Sequence, residues 1–414
     1  MEVRAKAKQV RAALKVWQRQ SSDQRNSALR EMAAQLEASA ADILAANEKD
    51  LHRAQEIGIS GALLDRLTLT EDRVRGMADG LRDVAGQRDP IGQVVDGHEL
   101  PNGLKIQRVR VPLGVIGMIY EARPNVTADA AGLCLKAGNG VLLRGGSEAI
   151  HSNTAVVRVL QRALQMRELP ESVVALIENT DRAEVQEMLH LNSLIDVVIP
   201  RGGAGLIQFV VENSTVPVIE TGVGNCHVFV DASADLPAAV AIVDNAKTQR
   251  PGVCNAVETL LVHREAAESF LPELRRVLDP KGVELRGCSK TQSILEGVKP
   301  AEAADWSTEF LDLILAVRVV DSYDEAVEHI QAYSTGHSEA ILTESYTNAQ
   351  RFLQEVDAAA VYVNASTRFT DGAQFGMGAE IGISTQKLHA RGPMGLAELT
   401  TTKFVVYGQG TVRK

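Results

Sequence analysis

From Gly114 onward the chain keeps returning to one pattern: a short apolar run rich in branched residues, a turn bearing glycine or proline, then a helical stretch. Gly114–Ile119, Val141–Leu143, Val173–Ile177, Ile195–Ile199, Val228–Val230, Val257–Val262, Leu313–Val319 and Ala360–Val363 read as strands. Asn153–Met166 and Leu236–Lys247 are among the helical stretches between them. Runs this apolar must be covered on both faces, and strands joined through helices pair in parallel. The pattern predicts an α/β protein with doubly wound parallel sheets. At 414 residues the chain exceeds one ordinary core, so two such domains are expected. Ligands of such sheets bind beyond the carboxyl ends of the strands.

Residues 3 to about 57 read as helices, with Val10, Ala13, Leu14 and Trp17 on one face and Leu29, Met32 and Leu36 on another. Ser21 followed by Gln24 fits a capping box. Leu104–Val111 reads as an exposed strand and Thr400–Tyr407 as a β-prone tail; no internal repeat is present. Lys plus Arg number 43 against 53 Asp plus Glu, and a net charge of −10 is poorly suited to tracking nucleic-acid phosphates. Cys134, Cys226, Cys254 and Cys288 are widely spaced, with no Cys-x-x-Cys pair and no His at metal-ligand spacing. That usage suits a reducing compartment and no metal. The charged N-terminus lacks an apolar leader core, and no apolar run reaches the ~18 residues of a membrane span, so a cytoplasmic enzyme is expected.

Several turns carry residue types suited to chemistry. In Gln249–Val262, Cys254 sits between a Pro-Gly turn and an apolar strand, as a thiolate that accepts an acyl group would, or as a small buried hydrophobe would. Asn125, after Arg123-Pro124, could donate its amide to an oxyanion or simply serve the turn. Arg144-Gly-Gly-Ser147 ends a strand with a cation and a hydroxyl, fit for a phosphorylated ligand or a solvated loop. Gly202 and Gly203 open a helix as a phosphate-cradling turn would, without matching Gly-x-Gly-x-x-Gly. Glu220 could act as a base, and His227 as an acid, an anion ligand or a structural ring. Arg368 and Arg391 lie on late polar loops, as carboxylate clamps or surface ion pairs would.

The order of these features resembles the aldehyde dehydrogenase superfamily along nearly the whole chain. Pro124-Asn125, a strand ending in Arg144, Glu220-x-Gly-x-Gly, Pro251-Gly-Val-Cys254, Glu309-Phe310, Val363-Asn364 and Phe375-Gly376 follow one another. Three stretches resemble the γ-glutamyl phosphate reductase family within it: Ala326–Ile341, Ile199-Pro-Arg-Gly-Gly203, and Glu380–Pro393. The resemblance implies an aldehyde dehydrogenase-like fold with two doubly wound α/β domains and a small β oligomerisation flap. Residues 1–225 would bind NADP(H), with the flap segment near 101–113; 226–375 would carry the thiol, and 376–414 would return to the cofactor domain as an oligomerisation tail.

The activity implied is NADPH-dependent reduction of L-glutamyl 5-phosphate to L-glutamate 5-semialdehyde with release of phosphate, in proline biosynthesis. The alternative is a hydrolytic or CoA-acylating aldehyde dehydrogenase. Cys254 would be the nucleophile, with its own N–H and Asn125 forming the oxyanion hole. Arg144, Ser147, Gly202, Gly203 and Glu309 would bind the cofactor, a hydroxyl at Ser147 leaving room for a 2′-phosphate. Leu311 stands where an aromatic residue is usual. Glu220 aligns with the general base of hydrolytic aldehyde dehydrogenases, a role largely unnecessary in a reductase, and is kept as a candidate catalytic residue. Arg123, His227, Arg250 and Arg368 are the candidates for the substrate's anionic groups. A homodimer or homotetramer is implied, and the lability of an acyl phosphate suggests association with glutamate 5-kinase.

Overall fold

The computed structural model describes residues 2–413, with the backbone alone at Ala62. The chain forms two compact units: Met1–Thr221 with Gly376–Gly382 and Met394–Lys414, and Gly222–Phe375 with Ile383–Pro393.

The first unit begins with helices α1 (Glu2–Trp17), α2 (Ser22–Ala38), α3 (Ala40–Glu56), α4 (Gly61–Leu67) and α5 (Glu71–Gly86). The apolar stripes of the first two are core-facing: Val10, Leu14, Trp17, Leu29, Met32 and Leu36 are all buried, and Trp17 Nε1 donates to Leu135 O at 3.1 Å. The capping box forms, Ser21 Oγ accepting from Gln24 N at 3.2 Å and Gln24 Oε1 from Ser21 N at 2.8 Å. Then follow β1 (Val94–Glu99), β2 (Lys105–Pro112), β3 (Val115–Tyr120), α6 (Asn125–Lys136), β4 (Gly140–Arg144), α7 (Ile150–Met166), β5 (Val174–Leu176), α8 (Arg182–Met188), β6 (Val197–Arg201) and α9 (Ala204–Asn213). The parallel sheet has the order β5-β4-β3-β6. Winding runs one way from β3 to β5 and then crosses to β6, so β3 and β6 flank the switch point where such folds bind ligands.

The second unit is built on β7 (Cys226–Val230), α10 (Leu236–Thr248), β8 (Val257–His263), α11 (Arg264–Leu278), β9 (Glu284–Gly287), α12 (Ser289–Ile294), β10 (Lys299–Pro300), β11 (Ile314–Val320), α13 (Tyr323–Tyr333), β12 (Ser338–Leu342), α14 (Tyr346–Glu355) and β13 (Ala360–Val363). These strands form a parallel sheet in the order β10-β9-β11-β8-β7-β12-β13. Alternation sorts its two faces. Val228, Leu260, Val317 and Ala340 pack with α10 and α11, whereas Phe229, Leu261 and Ile341 pack with α13 and α14. A short antiparallel pair, β14 (Ile383–Ser384) with β15 (Gly392–Pro393), completes this unit.

The chain then returns to the first unit, where β16 (Thr400–Tyr407) pairs antiparallel with β2 along its whole length, Thr400 opposite Pro112 and Tyr407 opposite Lys105. With β1 on the other side, this makes the three-stranded flap.

Most expected strands form within a residue or two. Ile195 and Asp196 fall outside β6 because a turn precedes it, with Ile195 N donating to Leu191 O at 2.9 Å. The strands β1, β9 and β12 are absent from the sequence reading because their residues are too polar for an apolar run. Ser338 and Glu339 are buried in β12 nonetheless, their polar atoms taken up by hydrogen bonds to Thr370, His227 and Ser334.

Candidate active site

In the second unit Cys254 lies in the turn-rich link between α10 and β8, partly exposed. Cys226, wholly buried at the start of β7, donates its thiol to Cys254 O at 3.2 Å. A Cβ on Gly224 would come within 1.5 Å of the same oxygen, so only glycine fits there. On the other flank Asn255 Nδ2 donates to Thr370 O at 2.9 Å, and Thr367 Oγ1 donates to Asn255 O at 2.7 Å. Fixing the Cys254 carbonyl and the next residue fixes the Cα from which the Cys254 side chain projects. Burial first, and then the carboxylate of Glu339, push the Cys226 thiol well above its ordinary range, so it remains protonated and able to donate.

Two guanidinium groups stand near this loop. Arg368 Nε donates to Gln249 Oε1 at 2.8 Å. Burial, followed by the charge of Arg250, lowers the Arg368 pKa, and the Cys254 thiol also acts on it. Positive charge beside a thiol favours thiolate and attracts an anionic acyl donor.

Glu309, ahead of β11, accepts Gly224 N–H on Oε1 at 2.8 Å. Cys254 precedes β8, Gly224 precedes β7 and Glu309 precedes β11, so in this parallel sheet all three lie at the amino edge. These three candidates therefore lie at the edge opposite to the expected carboxyl ends, and the glycine at position 224 lets the loops entering β7 and β8 meet in backbone contact.

One candidate is corrected. His227 was expected to meet the substrate, but β7 carries its ring into the sheet interior, 0% exposed. There its Nδ1 and backbone N–H face one Glu339 oxygen at 3.0 and 2.9 Å. Its Nδ1 edge is thus paired, while among the described residues its buried Nε2 has no hydrogen-bond partner. Two further buried rings carry a stability consequence. Burial, with neighbouring His227 and Arg318, lowers the His329 pKa to about 3, and burial lowers that of His337 to about 4. Both values lie below the ordinary 6.5 of an unfolded chain, so acid binds the unfolded state preferentially. This stability is complete above pH 6.5 and is lost as pH falls toward 4, by up to about 1.4 kcal/mol per pH unit for each ring. A His329→Gln variant should show a shallower fall of melting temperature across that window; an unchanged slope would refute the assignment.

In the first unit the predicted residues gather on the carboxyl ends of adjacent strands. Arg123 and Asn125 follow β3, Arg144 ends β4 and Ser147 opens the short turn after it, and Gly202 and Gly203 follow β6. Asn125 opens α6, and its Nδ2 donates to Asp129 Oδ2 at 3.1 Å. Burial raises the Asp129 carboxyl to about 6, against the opposing effects of Asn125 and Arg201. Arg123 is exposed.

Gly203 N donates to Glu121 Oε2 at 2.9 Å, so the turn opening α9 already holds a carboxylate. A Cβ at Gly202 would lie 2.7 Å from the same group. Arg144 donates to Gly145 O at 2.9 Å and Thr180 O at 2.8 Å, while among the described residues its buried Nε has no partner. Burial lowers its pKa, the charge of Arg182 adds to that, and Glu148 opposes it. Glu220 lies half-buried directly after Ile219, whose N–H donates to Val198 O at 3.0 Å.

The orphaned Arg144 Nε, a second cation at Arg182 and the Ser147 hydroxyl suit a phosphate-bearing cofactor, with Glu148 the one carboxylate on the same turn. Sequence reading missed Cys226, Asn255, Asp129 and the fully buried Lys247–Glu258 ion pair, Nζ to Oε2 at 2.6 Å. Only the last left a signal, a glutamate inside the apolar run Val257–Val262.

The aldehyde dehydrogenase family profile matches residues 1–285 and 278–405. The γ-glutamyl phosphate reductase of Caldanaerobacter subterraneus subsp. tengcongensis is 60% identical over 414 residues, covering 100% of both chains. That of Moorella thermoacetica is also 60% identical, covering 100% of this chain and 99% of its own. The crystal structure of the Thermotoga maritima γ-glutamyl phosphate reductase superposes with a TM-score of 0.97 at 56% identity, covering 100% of both chains. The chain belongs to the aldehyde dehydrogenase family and, within it, to the γ-glutamyl phosphate reductases.

Proposed function

We propose that the protein reduces L-glutamyl 5-phosphate to L-glutamate 5-semialdehyde, releasing phosphate, with Cys254 as the nucleophile and NADPH as the reductant. The observation that carries the nucleophile is the clamped loop: the Cys254 carbonyl is held by Cys226 and by the close approach of Gly224, beside Arg250 and Arg368. The Cys254 thiolate attacks the acyl carbon, the carbon–oxygen bond to phosphate breaks, and a thioester remains on sulfur. Asn125 and the Cys254 N–H donate to the oxygen that gains charge as the carbonyl becomes tetrahedral. A reduced nicotinamide supplies a hydride when bound. Cys254 then leaves the reduced carbon as thiolate and the aldehyde is released. No water is required, so Glu220 is assigned no proton to move.

Arg144 and Ser147 are proposed to hold the 2′-phosphate, and Gly202 and Gly203 the pyrophosphate, displacing Glu121 from Gly203 N–H. Glu309 is proposed to bind the nicotinamide ribose, and Arg123, Arg250 and Arg368 the substrate's anions. In this reading the first unit carries the cofactor and the second the thiol. Phe404, Val406 and Tyr407 on β16 are 69, 53 and 57% exposed, which supports assembly of the flap into a homo-oligomer. Sedimentation of the purified chain reads that state, and co-sedimentation with glutamate 5-kinase reads the proposed association with the upstream enzyme. Among the described residues no helix is long and apolar enough to cross a membrane.

Run in reverse with glutamate semialdehyde, the enzyme should require inorganic phosphate to resolve the thioester, and should turn over faster with NADP⁺ than with NAD⁺. Activity undiminished without phosphate would overturn the reductase reading in favour of a hydrolytic enzyme. Equal rates with the two nucleotides would overturn the NADPH assignment alone.

A further inference from the structure

Glu258 stands in β8 with no part in the chemistry above, yet it joins three segments. One carboxylate oxygen receives Lys247 Nζ at 2.6 Å, from the last turn of α10, and both side chains are 0% exposed. Lys247 and Glu258 therefore close the base of the link that carries Cys254. The other oxygen receives the backbone N–H of Leu311 at 3.2 Å. Leu311 has φ +54, a left-handed conformation that a leucine adopts only when its surroundings impose it. Its own side chain is 37% exposed and grips little. Two residues earlier, Glu309 is turned toward Gly224 N–H. The segment bearing Glu309 is thus held by its backbone from Glu258 and by its side chain from Gly224.

We propose that Glu258 is a positioning residue for the cofactor: by accepting Leu311 N–H it imposes the backbone turn that presents Glu309. This rests on the proposed role of Glu309 at the nicotinamide ribose. Lys247 then serves to aim Glu258 and to oppose the burial that raises its carboxyl to about 7, an aiming role that a neutral acceptor of the same shape can replace. A buried ion pair can often be exchanged for packed neutral residues without loss of the fold, so the fold and the tether are separable.

The test uses the full chain and titration calorimetry with NADPH on three variants. Lys247→Met/Glu258→Gln keeps an acceptor for Leu311 N–H and should bind NADPH within about threefold of the parent. Lys247→Met/Glu258→Leu removes the acceptor and should bind about tenfold more weakly or worse. In the second double variant the NADPH KM should rise while kcat at saturating cofactor holds, and iodoacetamide should label Cys254 at the parental rate. Glu309→Gln alone should also weaken binding. If the two double variants bind alike while Glu309→Gln binds poorly, Glu258 is only a packed charge and the proposal is wrong. If Glu309→Gln binds as the parent does, the role of Glu309 itself fails. A measurement on the parent guards against misfolding of a variant: hydrogen exchange at Leu311 should be slowed without cofactor, and exchange at the rate of an open loop would overturn the tether.

Discussion

Cys254→Ala should abolish reduction of the acyl phosphate, with a loss of at least about 10³-fold, while NADPH affinity stays at the parental value. The size follows from the chemistry, because without the thioester there is no acyl group on the protein to receive a hydride. Cys226 cannot substitute for it. That thiol is wholly buried, held protonated by its surroundings, and directed at the Cys254 carbonyl oxygen. The Cys254 side chain is partly exposed and its loop is fastened through backbone atoms, so the variant should melt within a few degrees of the parent. Rapid-quench measurement of phosphate release gives the sharpest reading: the parent should show a burst stoichiometric with enzyme, and a burst surviving in Cys254→Ala would refute the nucleophile.

Asn125→Ala should lower kcat by about 10²–10³-fold with little change in substrate KM, since an oxyanion donor acts on charge that develops only in the transition state. As the first residue of α6 Asn125 is exposed, and its amide donates to Asp129 one turn on. Removing the side chain costs the fold little. Asn125→Asp should be slower still, because a carboxylate repels the developing oxyanion. A parental kcat in Asn125→Ala would remove this residue from the mechanism.

Much of the fold was legible because buried parallel strands announce themselves as apolar runs, and Val257–Val262 lies wholly inside β8. Of the strands that escaped notice, β1 is exposed along its whole length, and β12 buries polar residues that distant partners satisfy. Ser334, His227 and Glu339 complete one another across three segments, and no local pattern encodes that. The candidate site was legible as residue types in turns, which is where Cys254, Asn125 and Arg144 sit. The supports were not. Gly224 looked like one glycine among many until the Cys254 carbonyl was seen against it, and Cys226 looked like a spare thiol. His227 misled for the complementary reason: a histidine beside a glycine-rich link invites a ligand role, and only the register of β7 against β12 shows it facing Glu339.

The flap has a consequence for how the protein is made. Strand β2 is completed by β16, and the flanking contact from Arg110 to Ala397 joins positions 287 apart in the chain. At a ribosomal rate of about 5–20 residues per second, β2 leaves the tunnel roughly 15–60 s before the strand that will cover its second edge exists. During that interval it is a basic, branched strand with β1 alone beside it, open to pairing with the same strand on a neighbouring nascent chain. The charges along it, Lys105, Arg108 and Arg110, guard it then: like charge repels a second copy of the same strand. Neutralising those three residues should therefore harm the yield of soluble protein during synthesis more than it harms the stability of the finished molecule.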